Sequence, residues 1–170
     1  MMATIKVSSF IDASVERVFD LFTDIQHASK NVMAIKKVDI LSSGPFHLGF
    51  QWCETRDVLG VLDDAVMEIT SFRANHSYTV THHKAGVRID AHFTFAPSIT
   101  GTNVAIEFEL HKDGVPPGLF SPLEWAIGNQ VRHVLGDDLQ DLTEAIEHVR
   151  VVGRSDSTRA LQGQKATAVQ

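Results

Sequence analysis

The chain has 170 residues, 44 % of them apolar and 21 % charged, with a formal net charge of −6. That is enough for one domain with a single sizeable core, and too acidic for a general nucleic-acid or anionic-membrane surface. The lone cysteine, Cys53, excludes an internal disulfide. No stretch approaches the roughly 18 apolar residues of a membrane span, and no basic stretch followed by an apolar block marks a signal peptide. The composition points to a cytoplasmic protein without stable membrane insertion.

Thr4 to Ile11 alternates, with Ile5, Val7, Ser9 and Ile11 on one side and Lys6 and Ser8 on the other, the pattern of a half-buried strand. Asp12 or Ser14 then caps a short helix with an apolar face of Val15, Val18, Phe19 and Phe22. Asp24 to Lys30 reads as a second short helix or a turn. Further strands are predicted over Val32 to Leu41, Phe50 to Asp57, Val61 or Asp64 to Phe72, Ser77 to His83, Val87 to Ala96 and Thr102 to Lys112. The gaps between them carry Gly, Pro, Asn and Asp, as hairpin connections require. From about Pro117 to Val149 the period changes. Leu123, Ile127, Val131, Leu135, Leu139, Leu142, Ile146 and Val149 recur at steps of four and three, one apolar stripe on a helix roughly 40–45 Å long. Residues 1–150 thus read as one domain. Residues 151–170, rich in Ser, Thr, Gln, Ala and Gly without a period, read as a flexible C-terminal tail.

A sheet that covers one long helix buries one face and wets the other, so apolar residues mark the inner parity. By this rule Val104, Ile106, Phe108 and Leu110 point inward on the last strand, and Ala91, Phe93 and Phe95 on the one before it. Tyr78, Val80 and His82 share that face, as do Ala65, Met67 and Ile69. On the third strand Phe50 and Trp52 set the inner parity, and Glu54 and Arg56 continue it. Two readings of this charged pair stay open. In one, the strand emerges at the rim and the pair is solvated. In the other, Glu54, Arg56, His82 and Tyr78 supply polar groups inside a mostly apolar pocket. In the second reading a desolvated Glu54 with a raised pKa, near an imidazole, acts as an acid and base on a carbonyl substrate.

The remaining chemistry is sparse. The nine histidines are scattered without metal-ligand spacing, and the neighbours His82 and His83 point to opposite faces, so no metal site is expected. No Gly-rich phosphate loop, GxSxG elbow or paired CxxC occurs, so no cofactor is expected. Gly128 and Gly136 in the long helix read as points of close packing on the sheet, with room for a ligand beneath the helix as the alternative. Leu119 and Phe120, on the approach to that helix, read as a pocket lid or a dimer contact.

Several fragments carry a family resemblance. Ile11-Asp12-Ala13-Ser14-Val15-Glu16-Arg17-Val18-Phe19 followed by Asp24 resembles the opening of the SRPBCC superfamily, which holds START, birch-pollen-allergen and polyketide cyclase/dehydrase proteins. Gly49-Phe50-Gln51-Trp52 with Glu54-Thr55 resembles the third-strand region of the polyketide cyclase/dehydrase branch. Gly101-Thr102-Asn103-Val104 resembles its last hairpin, and Asp138-Leu139-Gln140-Asp141-Leu142 the tail of its long helix. The resemblance spans about residues 3 to 149. It implies an α+β helix-grip fold: a seven-stranded antiparallel sheet wrapped around a long C-terminal helix, with two short helices after the first strand.

The expected function is binding of a hydrophobic or aromatic small molecule, lipid- or polyketide-like, between sheet and helix. Phe50, Trp52, Met67, Tyr78, Phe93, Phe95, Phe108, Ile127 and Val131 are the expected ligand-binding residues. Two alternatives accompany it. One is a cofactor-independent polyketide cyclase/dehydrase-type enzyme with Glu54 and His82 as acid and base and Arg56 or Tyr78 polarising a carbonyl. The other is a protein-interaction module without a functional cavity. The oligomeric state is expected to be monomer or homodimer, with no nucleic-acid partner.

Overall fold

The computed structural model describes residues 4–58, 60–84, 86–112 and 131–147. Its first element, β1 (Thr4–Ile11), alternates as its sequence dictates: Ile5 and Ile11 are buried while Thr4, Lys6 and Ser8 face water. Ser14 caps α1 (Val15–Thr23), its hydroxyl accepting from the Arg17 backbone N–H, and Val18, Phe19 and Phe22 form the buried stripe. A 3₁₀ turn, Ile25–His27, then leads into α2 (Ala28–Asn31). The following strand starts later than its apolar pattern suggests. Val32 is the C-cap of α2 and its carbonyl accepts from the Ile35 N–H, so β2 spans Ile35–Ile40.

Five strands complete the sheet: β3 (Gln51–Val58), β4 (Val61–Arg73), β5 (Ser77–Lys84), β6 (Val87–Pro97) and β7 (Thr102–Lys112). All pairings are antiparallel, in the order β1-β7-β6-β5-β4-β3-β2. The β6–β7 turn presses on the β1–α1 junction, and a Cβ added to Gly101 would lie 2.2 Å from the Ile11 carbonyl oxygen. Beside it the buried Thr102 hydroxyl donates to the Ala13 carbonyl. Glycine and threonine there let α1 dock over the concave face.

The core lies at that end. Phe19 of α1 meets Tyr78 and Phe95 edge-on and Phe22 meets Phe95 likewise, and Ile11, Ile69, Val104 and Ile106 join the same core with no exposure above 2 %. Residues 131–147 are helical and form α3, which seats Leu139 and Ile146 in this core and packs Leu135 and Leu142 against it. The seven-stranded sheet and its C-terminal helix are the helix-grip arrangement. Leu123, Ile127, Gly128, Val149, the Leu119–Phe120 approach and the 151–170 tail lie outside the described residues.

Two local expectations need correction. Gly136 is not a point of close packing: a Cβ built on it meets nothing within 4 Å. The outward residues of β5 and β6 are not simply solvated either. Asp90 is 8 % exposed on the convex face, because Thr81 Oγ1 donates to its Oδ1 at 2.6 Å and Arg88 Nε to its Oδ2 at 3.1 Å. Outward side chains that bond to one another screen one another from water.

Candidate functional site

The third strand, with the residue just before it, places four side chains on one face. Phe50, Trp52 and Glu54 are buried at 5, 3 and 6 % exposure, and Arg56 follows them with 22 % of its side chain exposed. A solvated rim pair does not describe Glu54 and Arg56. Arg56 Nε donates to Glu54 Oε1 at 2.9 Å, and the Trp52 indole N–H donates to Glu54 Oε2 at 3.2 Å. Arg56 Nη1 then reaches across to α3 and donates to Asp138 Oδ2 at 2.6 Å. A buried carboxylate is thus compensated by a guanidinium and an indole, as burial of charge requires. Burial works against the Arg56 charge, yet Asp138 and Glu54 outweigh it and raise its pKa. Burial also pushes the Asp138 carboxyl above its ordinary value, against the pull of Arg56.

His82 lies on the same concave face, two strands away on β5, opposite Ile89 of β6. Burial lowers its pKa, against the opposing pull of Glu54, and so favours the neutral imidazole. It makes no hydrogen bond to any described residue, Glu54 included. Tyr78 is committed elsewhere: it is fully enclosed, stacks on Phe93 at 4.5 Å and donates its hydroxyl to the Phe22 carbonyl. Burial pushes its phenol far up. Tyr78 therefore braces α1 and is not free to polarise a carbonyl.

The other expected ligand contacts divide by depth. Phe50, Trp52 and Phe95 are sealed in the core, whereas Met67, Phe93, Phe108 and Val131 remain partly accessible. Ile127 lies outside the described residues. Asp138 is the residue that strand parity alone misses. Its signal is helical: it stands three residues after Leu135 and four before Leu142, on the face those leucines turn to the sheet.

Open grooves flank α3 on both sides. Toward β1, one of about 670 Å³ is bordered by Val7, Ser8, Ser9, Arg132, Gly136 and Leu139, among others. Toward β2, grooves of about 590 and 440 Å³ run past Met33, Lys36 and Asp141. Among the described residues no group of three or more His, Cys, Asp or Glu is arranged to hold a metal ion, and no helix is long and apolar enough to cross a membrane.

Comparison with known proteins fits this geometry. No curated protein sequence matches the chain. Among solved structures it is similar to the Zhui aromatase/cyclase from Streptomyces sp. R1128, with TM-score 0.72 and 16 % identity over 90 % of this chain and 99 % of that one. It is also similar to a major latex-like protein from Panax ginseng (TM-score 0.67, 14 % identity, 85 % and 97 % covered). A START superfamily protein from Mycobacterium smegmatis matches at TM-score 0.61 and 16 % identity, covering 85 % and 94 %. At these identities the likeness speaks for the fold alone. The sequence signature described as polyketide cyclase / dehydrase and lipid transport matches residues 2–155. With that match over most of its length, on the sheet and helix just described, the chain belongs to the polyketide cyclase / dehydrase and lipid transport family.

Proposed function

We propose that the protein binds a hydrophobic or aromatic small molecule, lipid- or polyketide-like, between the concave sheet face and the C-terminal helix. One observation carries the reading: the concave face is unevenly filled. Near α1, Ile69, Tyr78, Phe95, Val104 and Ile106 are sealed. On the same face toward the β5–β6 turn, Met67, Val80, Ala91, Phe108 and Leu110 are only partly buried. Apolar side chains on the inner face of a sheet that lack full cover, bounded by a few polar groups, are the makings of a small-molecule pocket. Ala91 sits at the middle of this wall, paired with Val80 and Phe108.

The test is extraction of the purified protein followed by titration with the neutral probe N-phenyl-1-naphthylamine, using wild type and Ala91→Trp. Wild type releases an apolar molecule or enhances the probe's emission. Ala91→Trp, with an unchanged circular dichroism spectrum, does neither. An empty wild-type protein that also leaves the probe dark overturns the reading.

The enzyme alternative draws on His82, an imidazole on the pocket wall whose neutral form burial favours, with no described hydrogen-bond partner. Glu54 suits the base role less well, since both of its oxygens already accept hydrogen bonds. If catalysis occurs, His82→Ala abolishes turnover of an added carbonyl substrate while probe binding persists. The interaction-module alternative expects a filled interior, which the partly open wall argues against.

A further inference from the structure

The sheet ends on β2, and among the described residues no strand pairs with the outer edge of that strand. Which of its backbone groups face outward follows from the ladder. The Leu41 N–H donates to the Gln51 carbonyl at 3.0 Å, one position beyond the Ile40–Trp52 pair. Hydrogen-bonded and non-hydrogen-bonded pairs alternate along an antiparallel ladder. Asp39 and Lys37 therefore turn their backbone groups to Cys53 and Thr55 of β3, whereas Val38 and Ile40 turn theirs away from the sheet. Val38 thus presents an outward donor and acceptor on one residue, which is what a two-fold axis requires to pair a strand with its own copy.

The side chains select the register. Lys37 and Asp39 flank Val38 on the convex face, with 64 and 51 % of their side chains exposed, and Lys37 Nζ donates to Asp39 Oδ2 at 2.5 Å. Two copies of β2 paired antiparallel about Lys37 would set lysine against lysine, and about Asp39 aspartate against aspartate. Like charges directly opposite are destabilising. Pairing about Val38 instead sets each Lys37 against the Asp39 of the other copy, in a non-hydrogen-bonded pair, where side chains come closest. The two pairs close into a ring of alternating charges. Ile40, 39 % exposed, comes to lie opposite the aliphatic stem of the other copy's Lys36. The far edge of the sheet lacks this self-complementarity: β1 carries one charged residue, Lys6, and it pairs with Glu107 of β7.

From these we infer that the outer edge of β2 is an interface for a second copy of this chain, antiparallel about Val38, which joins two seven-stranded sheets into one. The β-bulge between Ile35 and Lys37 bends the strand and ends the pairing there. A strand pair this short buries less than the roughly 1,200–2,000 Å² of a stable complex, so the dimer forms and parts with concentration.

Sedimentation velocity at chain concentrations from about 1 to 300 μM, a range that brackets a weak interface, reads the association. The wild-type sedimentation coefficient rises from monomer toward dimer. Lys37→Glu and Asp39→Lys each set like charges across the axis and move the midpoint upward by about tenfold or more. Both positions are exposed, so the circular dichroism spectra stay as wild type. An equimolar mixture of the two variants restores association, because one is acidic at both positions and the other basic. A wild type that stays monomeric throughout overturns the interface. So does a dimer whose midpoint neither variant moves, since its contact then lies on another face. A mixture that associates no better than its components overturns the register about Val38, and the inference with it.

Discussion

Arg56 and Asp138 stand 82 positions apart in sequence and join the third strand to the C-terminal helix through one 2.6 Å hydrogen bond. With Glu54 on the other flank of the guanidinium, the cation pairs with two buried carboxylates at once. Removing it is therefore worse than losing one salt bridge. Arg56→Met leaves two acids without a countercharge and destabilises the fold by about 3–5 kcal/mol, read as a fall in urea midpoint. The triple replacement Glu54→Leu/Arg56→Met/Asp138→Leu recovers much of that loss, since it removes the charges together.

The raised Asp138 carboxyl and the lowered His82 imidazole give stability two opposed dependences on pH. For Asp138 the folded form holds its proton more tightly than the unfolded chain, whose value is near 3.8. Its contribution is full below that value and is lost as pH rises through the folded value. For His82 the unfolded chain, near 6.5, binds the proton more tightly. Its contribution is full above pH 6.5 and is lost as pH falls through the lowered folded value. Denaturation midpoints measured across pH 3–8 (about the span of both windows) show each slope, with Asp138→Asn flattening the acid one and His82→Gln the other. A slope unchanged in its own variant overturns the assignment.

Trp52 supplies one of the two hydrogen bonds that hold Glu54. Trp52→Phe keeps an aromatic ring in the core but leaves Glu54 Oε2 without its indole donor. The expected cost is about 1–3 kcal/mol, the penalty for an orphaned buried acceptor plus lost packing. Pairing the variant with Glu54→Gln in a double-mutant cycle isolates the interaction. Additive losses mean that the two side chains are uncoupled.

Two glycines make opposite predictions. Gly101→Ala drives a methyl group into the Ile11 carbonyl and the Phe10 ring, and the β6–β7 turn must shift from the start of α1. A loss of several kcal/mol, or failure to accumulate as folded protein, follows. Gly136→Ala meets nothing and stabilises by about 1 kcal/mol through helix propensity alone. Thermal melts of the two variants against wild type check both signs.

Strand parity made most of the sheet readable. Alternation along Thr4–Ile11 and Thr102–Lys112 marks which residues are buried, because each strand feels only its two faces. The same parity put Glu54 and Arg56 on the concave face, though it left open whether water reached them. That question turned on Asp138, a partner far away in sequence on another kind of element, and two-residue periodicity carries no information about a helix. Asp138 was legible only through its spacing from Leu135 and Leu142. The depth of Tyr78 was equally hidden: parity says that it points inward, and only the packing of α1 against it makes its hydroxyl a brace. Gly136 shows the converse, a residue whose type suggests crowding in a place that is empty.

The pairing of the first strand with the last has a consequence for how the protein is made. Thr4 faces Glu109 and Ile11 faces Thr102, so β1 has no neighbour until nearly the whole sheet has been translated. At the usual pace of synthesis the wait is about 5–20 s. Throughout it Ile5, Val7 and Ile11 form an apolar ridge on a strand with both edges unpaired. Until then the strand is open to unwanted pairing with other chains, and closure of the sheet on β7 is the step that removes that exposure.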